Sequence, residues 1–199
     1  LRSAIHILAK HHPELTENTG EKTTKIALQF LRYNHRTKFL LELDEGENHL
    51  KDFINNYKKR IHYYHCRNPK QPVIVVFDND KGANGIVQLI RNEKKITCDE
   101  VRDSVFVHWF ENLYIVFVPR KNRIPIDIEG LFDDETRLRK HKGLCFNTIP
   151  NRNEEKDLSK SSFAKHIVSA QRTTIDFSSF EPLLNSLKEA IQHYRSIST

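Results

Sequence analysis

The sequence predicts an α/β fold: a mainly parallel central sheet with helices on both faces. Three observations carry this expectation. PVIVVF, residues 72–77, is an unbroken apolar run, the pattern of a central strand covered on both sides. NLYIVFVP, beginning at Asn112, is a second run of the same kind. Between and around them lie segments with helical spacing: Leu50, Phe53, Ile54, Tyr57 and Ile61 before the first strand, and GANGIVQLIRNEKK after it.

Taken in order, residues 1–12 read as an amphipathic helix, with Ile5, Leu8 and Ala9 on one face. HPELTENTGEKT contains Pro13 and Gly20 and reads as a loop. A second helical stretch is expected around 22–34, and TKFLLEL, 37–43, reads as a short strand ending in an acidic turn. NHLKDFINNYKKRIHYYH is a helix with Lys58, Lys59 and Arg60 on its outer face. Strands are expected at 104–109 and 113–118, joined tightly at Glu111-Asn112. A long charged stretch follows, then a polar linker, a helix at 160–170, and a closing helix capped by Ser178 or Ser179. The organisation expected is an α/β core over 1–150, with 151–199 as a helical extension of the same domain.

Composition narrows the function classes. With 199 residues, 38% hydrophobic and 29% charged, the chain is long enough to bury a core and has no apolar run that could span a bilayer. No signal-peptide pattern opens it. Three cysteines, Cys66, Cys98 and Cys145, are an odd number at unrelated spacings, which argues against a disulfide framework and for a reducing, cytoplasmic setting. A net charge of +6 suits a polyanionic partner. The chain opens on Leu1, already inside a helical pattern and without a capping residue, so a longer polypeptide is expected to precede it.

The chemistry is concentrated in acidic residues. Asp78 and Asp80 stand two apart at the carboxyl end of the PVIVVF strand, followed by Gly82 and a helix. Ligands of open α/β sheets bind beyond such strand ends. In extended chain the D-x-D spacing sets both carboxylates on one side, where a divalent cation relieves their repulsion. Mg²⁺ or Mn²⁺ fits, because these ions take hard oxygen ligands, often one or two carboxylates plus water and substrate phosphate. The competing reading is a strand-to-helix turn, where Asp, Asn and Gly are common. Asp127 and Glu129 form a second pair around one apolar residue. Two such pairs supply oxygens for a two-metal phosphodiester-cleaving site. Cations flank the second pair: Arg120, Lys121 and Arg123 before it, and Arg137, Arg139, Lys140 and Lys142 after it. Acids for metal among cations for phosphate is the layout of a nuclease; an ordinary charged loop is the alternative. His62, His65 and Cys66 give H-x-x-H-C without an obvious fourth zinc ligand.

A buried strand ending in FDND, then glycine and a helix, resembles the Toprim fold of topoisomerases, primases and nucleases of the overcoming-lysogenization-defect type. FDNDKGANG, NLYIVFVP, IEGLFD and FAKHIV with IDFSSFEPLL look like the Toprim module fused behind some retron reverse transcriptases. The resemblance implies a metal-dependent nuclease of antiphage defence in a bacterial cytoplasm. Its partners would be DNA, RNA or an RNA–DNA hybrid, together with the reverse transcriptase domain of the same chain. Asp78 and Asp80 match the family's D-x-D, Asp127 and Glu129 its later acidic pair, and Lys160 its late lysine. The family also has an earlier strand ending in a glutamate. Glu45-Gly46 imitates that motif, but only one helix separates it from the D-x-D strand. The element count instead sets the glutamate and its strand before Leu1. Two other readings stand beside the nuclease: a non-catalytic module that binds nucleic acid or a partner, and a haloacid-dehalogenase-type phosphatase with Asp78 as nucleophile and Asp80 as acid/base. Lys81, where that phosphatase family has glycine, weighs against the last.

Overall fold

In the computed structural model the residues described are 1–18, 24–32, 34–43, 47–64, 69–147 and 157–198. The elements run in the order α1 (Arg2–Ile7), β1 (Thr16–Asn18), β2 (Thr24–Ile26), α2 (His35–Leu41), α3 (Glu47–Arg60), β3 (Val73–Phe77), α4 (Asn84–Lys94) and α5 (Cys98–Asp103). They continue with β4 (Val107–Phe110), β5 (Leu113–Phe117), α6 (Asp134–Arg137), β6 (Lys140–His141), β7 (Leu144–Phe146), β8 (Asp157–Leu158), α7 (Lys160–Ser162) and α8 (Glu181–Ile197). The chain is mixed α/β and divides into two compact units: Leu1–Leu28 with Ile128–Leu184, and Gln29–Asp127 with Asn185–Thr199. None of its described helices is long and apolar enough to cross a membrane.

The second unit is built on a three-stranded sheet ordered β3-β5-β4. β3 and β5 are parallel, with Val73 opposite Leu113 and Phe77 opposite Phe117. β4 and β5 are antiparallel, because only Glu111 and Asn112 connect them and a two-residue turn permits no other direction. Glu111 takes the left-handed conformation there, with φ 47°. Asn112 is buried and fixes the turn: its side chain donates to the Gln71 carbonyl at 3.0 Å and accepts from the Tyr57 hydroxyl at 2.8 Å. Every residue of β5 is buried. Ile54, Ile86, Ile90, Val101, Trp109 and Ile115 pack into one core cluster, and the Trp109 indole donates to the Ile54 carbonyl at 3.1 Å. A second cluster joins Tyr114, Ala190 and Tyr194, with the Tyr114 hydroxyl 2.7 Å from His193 Nδ1.

In the first unit the core is aromatic. Phe132 meets Phe163, Phe177 and Phe180 with ring centroids 5.5, 5.7 and 4.9 Å apart, and Phe146 stacks on Phe163 at 4.6 Å. A small sheet ordered β6-β7-β8 lies in this unit, as does the β1-β2 ladder. Lys142 and Gly143, both at positive φ (52° and 82°), make the two-residue turn between β6 and β7. After α7, Phe163–Ser169 winds as π-helical turns.

Several expectations are corrected. The central sheet is not mainly parallel: the described strands form three small sheets, and the largest holds one parallel and one antiparallel pair. Among the described strands PVIVVF lies at an edge, with Val73 37% exposed, and the central position belongs to β5. TKFLLEL is not a strand. Asn34 and Thr37 form a capping box, side chain to backbone in both directions at 3.0 and 2.9 Å, and so start helix α2 instead. The expected helix around 22–34 gives way to β2, which pairs with β1 in the register Thr16 to Ile26. Ser178 does not cap α8. It donates its backbone N–H to Asp176 Oδ1 at 2.8 Å, and a 3₁₀ turn over Ser178–Phe180 precedes the helix. Helix α5 was not anticipated, although Thr97 and Glu100 form a second capping box.

Candidate functional site

The D-x-D stretch begins where β3 ends. Val118 donates to the Phe77 carbonyl at 2.9 Å, and Asp78 comes directly after that last strand residue. The chain stays extended for one more pair. Asn79 donates to the Ile126 carbonyl at 2.7 Å, and Ile126 donates back to the Asn79 carbonyl at 3.1 Å. This antiparallel bridge ties the two acidic segments to each other.

Asn79 is completely buried. Its side chain points inward, so the alternation of extended chain turns the half-buried Asp78 and Asp80 to the opposite side. Continuing the antiparallel register by one residue sets Asp78 across from Asp127. Three of the sequence-nominated carboxylates therefore share one face of the second unit. Asp80 also serves the turn that follows: its Oδ1 accepts from the Gly82 N–H at 2.8 Å. The metal and turn readings of this motif are thus not exclusive, since the second oxygen of Asp80 is not needed for the turn.

Arg102, on α5, holds this segment in place. Its Nη1 donates to Asn79 Oδ1 at 2.7 Å and to the Asp80 carbonyl at 3.1 Å, and its Nη2 donates to Asn84 Oδ1 at 2.7 Å. Asn79 Nδ2 returns a bond to the Arg102 carbonyl at 2.8 Å. No sequence signal marked Arg102 or Asn79, because their partnership links residues from separate elements.

The remaining nominated residues have other settings. Glu129 and Lys160 are brought together in the first unit, where Lys160 Nζ lies 2.6 Å from Glu129 Oε2. The D-x-E pair thus straddles the division of the chain, since Asp127 ends one unit and Ile128 begins a segment of the other. Arg120 is buried by its partners: its guanidinium contacts Asp99 at 2.9 Å and Asp103 at 2.8 Å, with its side chain 6% exposed. The hydrogen bond from Arg120 holds the Asp99 carboxyl below the ordinary value. Arg137 pairs with Asp134. Arg139 donates to the Thr174 carbonyl at 2.9 Å, to Thr174 Oγ1 at 2.8 Å and to Gln171 Oε1 at 3.2 Å. Of the cations nominated for nucleic acid, Lys121, Arg123 and Lys140 are exposed. His65, Cys66, Glu45 and Gly46 lie outside the described residues.

Among the described residues no three His, Cys, Asp or Glu side chains come together closely enough to form a metal cage. The donor set at Asp78, Asp80 and Asp127 still fits Mg²⁺ in the mode where one or two carboxylates bind and water and phosphate complete the octahedron. It does not fit an ion that needs an all-protein shell. No protein-family model matches the chain, and no solved structure matches it.

Proposed function

We propose that the chain is a Mg²⁺- or Mn²⁺-dependent nucleic-acid phosphodiesterase module of Toprim type, the effector part of a retron reverse transcriptase acting in antiphage defence. The observation that carries this reading is the Asn79–Ile126 bridge, which draws the second acidic segment beside the D-x-D at a strand end. Two acidic motifs far apart in sequence meet there at one strand end, an arrangement suited to a hard cation.

In this reading Asp78 and Asp127 hold the ion, and Asp80, whose Oδ1 accepts from the Gly82 N–H, faces its water shell. When bound, the ion acts as Lewis acid toward the phosphodiester and lowers the pKa of the attacking water. Arg102 holds the Asn79 side chain and the Asp80 carbonyl, and so restrains the segment that carries the carboxylates. Exposed Lys121 and Arg123, in the same unit, approach substrate phosphates. Glu129 stays with Lys160.

Calorimetric titration of Mg²⁺ and Mn²⁺ into the chain, beside Asp78→Asn with Asp80→Asn, tests the reading. Binding to the parent and at least tenfold weaker binding to the variant is expected, followed by metal-dependent cleavage of single-stranded or hybrid substrates. The competing reading is a module that binds nucleic acid without cutting it, for which the exposed Lys121 and Arg123 would serve equally. Salt-sensitive nucleic-acid binding with no metal heat in either protein would establish that competitor instead.

A further inference from the structure

The first unit stacks two imidazoles. His141 and His166 lie with ring centroids 4.2 Å apart and planes within 10° of parallel. His141 comes from β6, and His166 from the π-helical turns after α7. Both rings are half-buried. Lys142, at the hairpin turn beside His141, and Lys165, next to His166, are exposed.

The small sheet explains why positive charge gathers here. In its register Lys140 pairs with Cys145, and Cys145 with Asp157. These three share one face. His141 pairs with Leu144 and Phe146 with Leu158, which places His141 on the other face. Phe146 stacks on Phe163 of the π-helical turns, so that other face is the one that meets His166's segment. The carboxylate of the sheet, Asp157, is therefore turned away and accepts from Asn147 at 3.1 Å. Partial burial foremost, and then the charges of His141, Lys165 and Lys142, lower the His166 pKa below its ordinary value. The charges that act on His166 among the described residues are all of one sign, and like charges set side by side raise the free energy of the native state.

We propose that His141 and His166, rimmed by Lys142 and Lys165, bind a phosphate of a nucleic-acid backbone and take up protons as they do so. Rings stacked at 4.2 Å are close enough for both to meet oxygens of one phosphodiester. An anion beside the pair offsets the repulsion that lowers the His166 pKa, so binding and protonation reinforce each other. A rise of one unit in an imidazole pKa on binding corresponds to about tenfold tighter binding at low pH. The site lies in the first unit and uses none of the carboxylates of the second, so either reading can fail alone.

The test uses the whole chain in EDTA, which removes any contribution from metal. A labelled oligothymidylate is titrated by fluorescence anisotropy between pH 8 and pH 5.5, and inorganic phosphate by calorimetry. Affinity for the oligonucleotide is expected to rise about tenfold or more over this range. His141→Gln with His166→Gln should remove most of that rise, and Lys142→Ala with Lys165→Ala should weaken binding at every pH. NMR of the parent's histidine rings keeps the test independent of how the variants fold: the His166 pKa should move up on saturation with oligonucleotide. An unchanged His166 titration, or an unchanged pH dependence in the folded histidine variant, overturns the proposal. Binding of inorganic phosphate as tight as that of the oligonucleotide overturns its nucleic-acid part.

Discussion

In the second unit a polar residue, Asn79, sits at zero exposure, and both its backbone and its side chain are bonded, to Ile126 and to Arg102. In the first unit the corresponding depth is filled by Phe132, Phe163, Phe177 and Phe180, with the nearly inaccessible His12 joining His11 on Glu181. Around Asn79 the polar contact of the second unit joins an amide to a guanidinium. In the first unit it joins imidazoles to the Glu181 carboxylate, whose charge acid removes. The difference teaches where each unit is sensitive: the second to loss of a hydrogen-bond partner, the first to loss of packing and to pH.

The largest effect that would sharpen this contrast is on packing. Phe132 contacts three other phenylalanines. Phe132→Ala should cost about 3–5 kcal/mol, measured by urea unfolding, since the surrounding rings cannot collapse fully into the cavity. A loss under about 1 kcal/mol would break the contrast, because the aromatic cluster would then not be what holds the first unit.

Arg102→Met comes next. It leaves the fully buried Asn79 with an unsatisfied oxygen, which costs about 1–3 kcal/mol. Asn79→Leu combined with Arg102→Met should be less destabilised than the two single changes added together, since neither partner is then left alone. Strict additivity would mean that the pair does not act as a unit. The same variants also probe the proposed metal site, because Arg102 fixes the Asp80 carbonyl.

How much of this was legible in the sequence follows from the range of each interaction. The runs at Val73–Phe77 and Leu113–Phe117 and the periodic helix Glu47–Arg60 are local patterns, and they form as read. The same-face placement of Asp78 and Asp80 follows from strand periodicity alone. The capping boxes Asn34–Thr37 and Thr97–Glu100 are also local, and T-x-x-E at Thr97 was a readable signal for α5. The apolar composition of TKFLLEL spoke for a strand; the cap at its N-terminal end decided for a helix. Sheet order was not legible, because both apolar runs suit a central strand and only the short turn at Glu111-Asn112 gives β5 neighbours on both sides. The bridge from Asn79 to Ile126, the grip of Arg102 and the engagement of Arg120 by Asp99 and Asp103 are non-local. A charge count nominates Arg120 for phosphate; only the fold reveals that two aspartates already surround it.

The smallest expected effect concerns acid. Glu181 accepts from His11 at 2.7 Å and contacts His12, and the His11 bond foremost, then that of His12, lowers its carboxyl pKa from the ordinary 4.5. A depressed folded-state pKa means that the unfolded chain binds the proton more readily. The stabilisation is therefore fully present above pH 4.5 and is lost as pH falls through the depressed value. Glu181→Gln should lower stability above that pH by about 1 kcal/mol or less, since His11 is largely exposed and water screens the pair. The gap between parent and variant should close as acid protonates the parent. If the gap widens in acid instead, the carboxylate is not the acid-sensitive group of the first unit. His166, stacked on His141, would then be the next to replace, because its lowered pKa means that protonating it without an anion opposes folding from the histidine range downward.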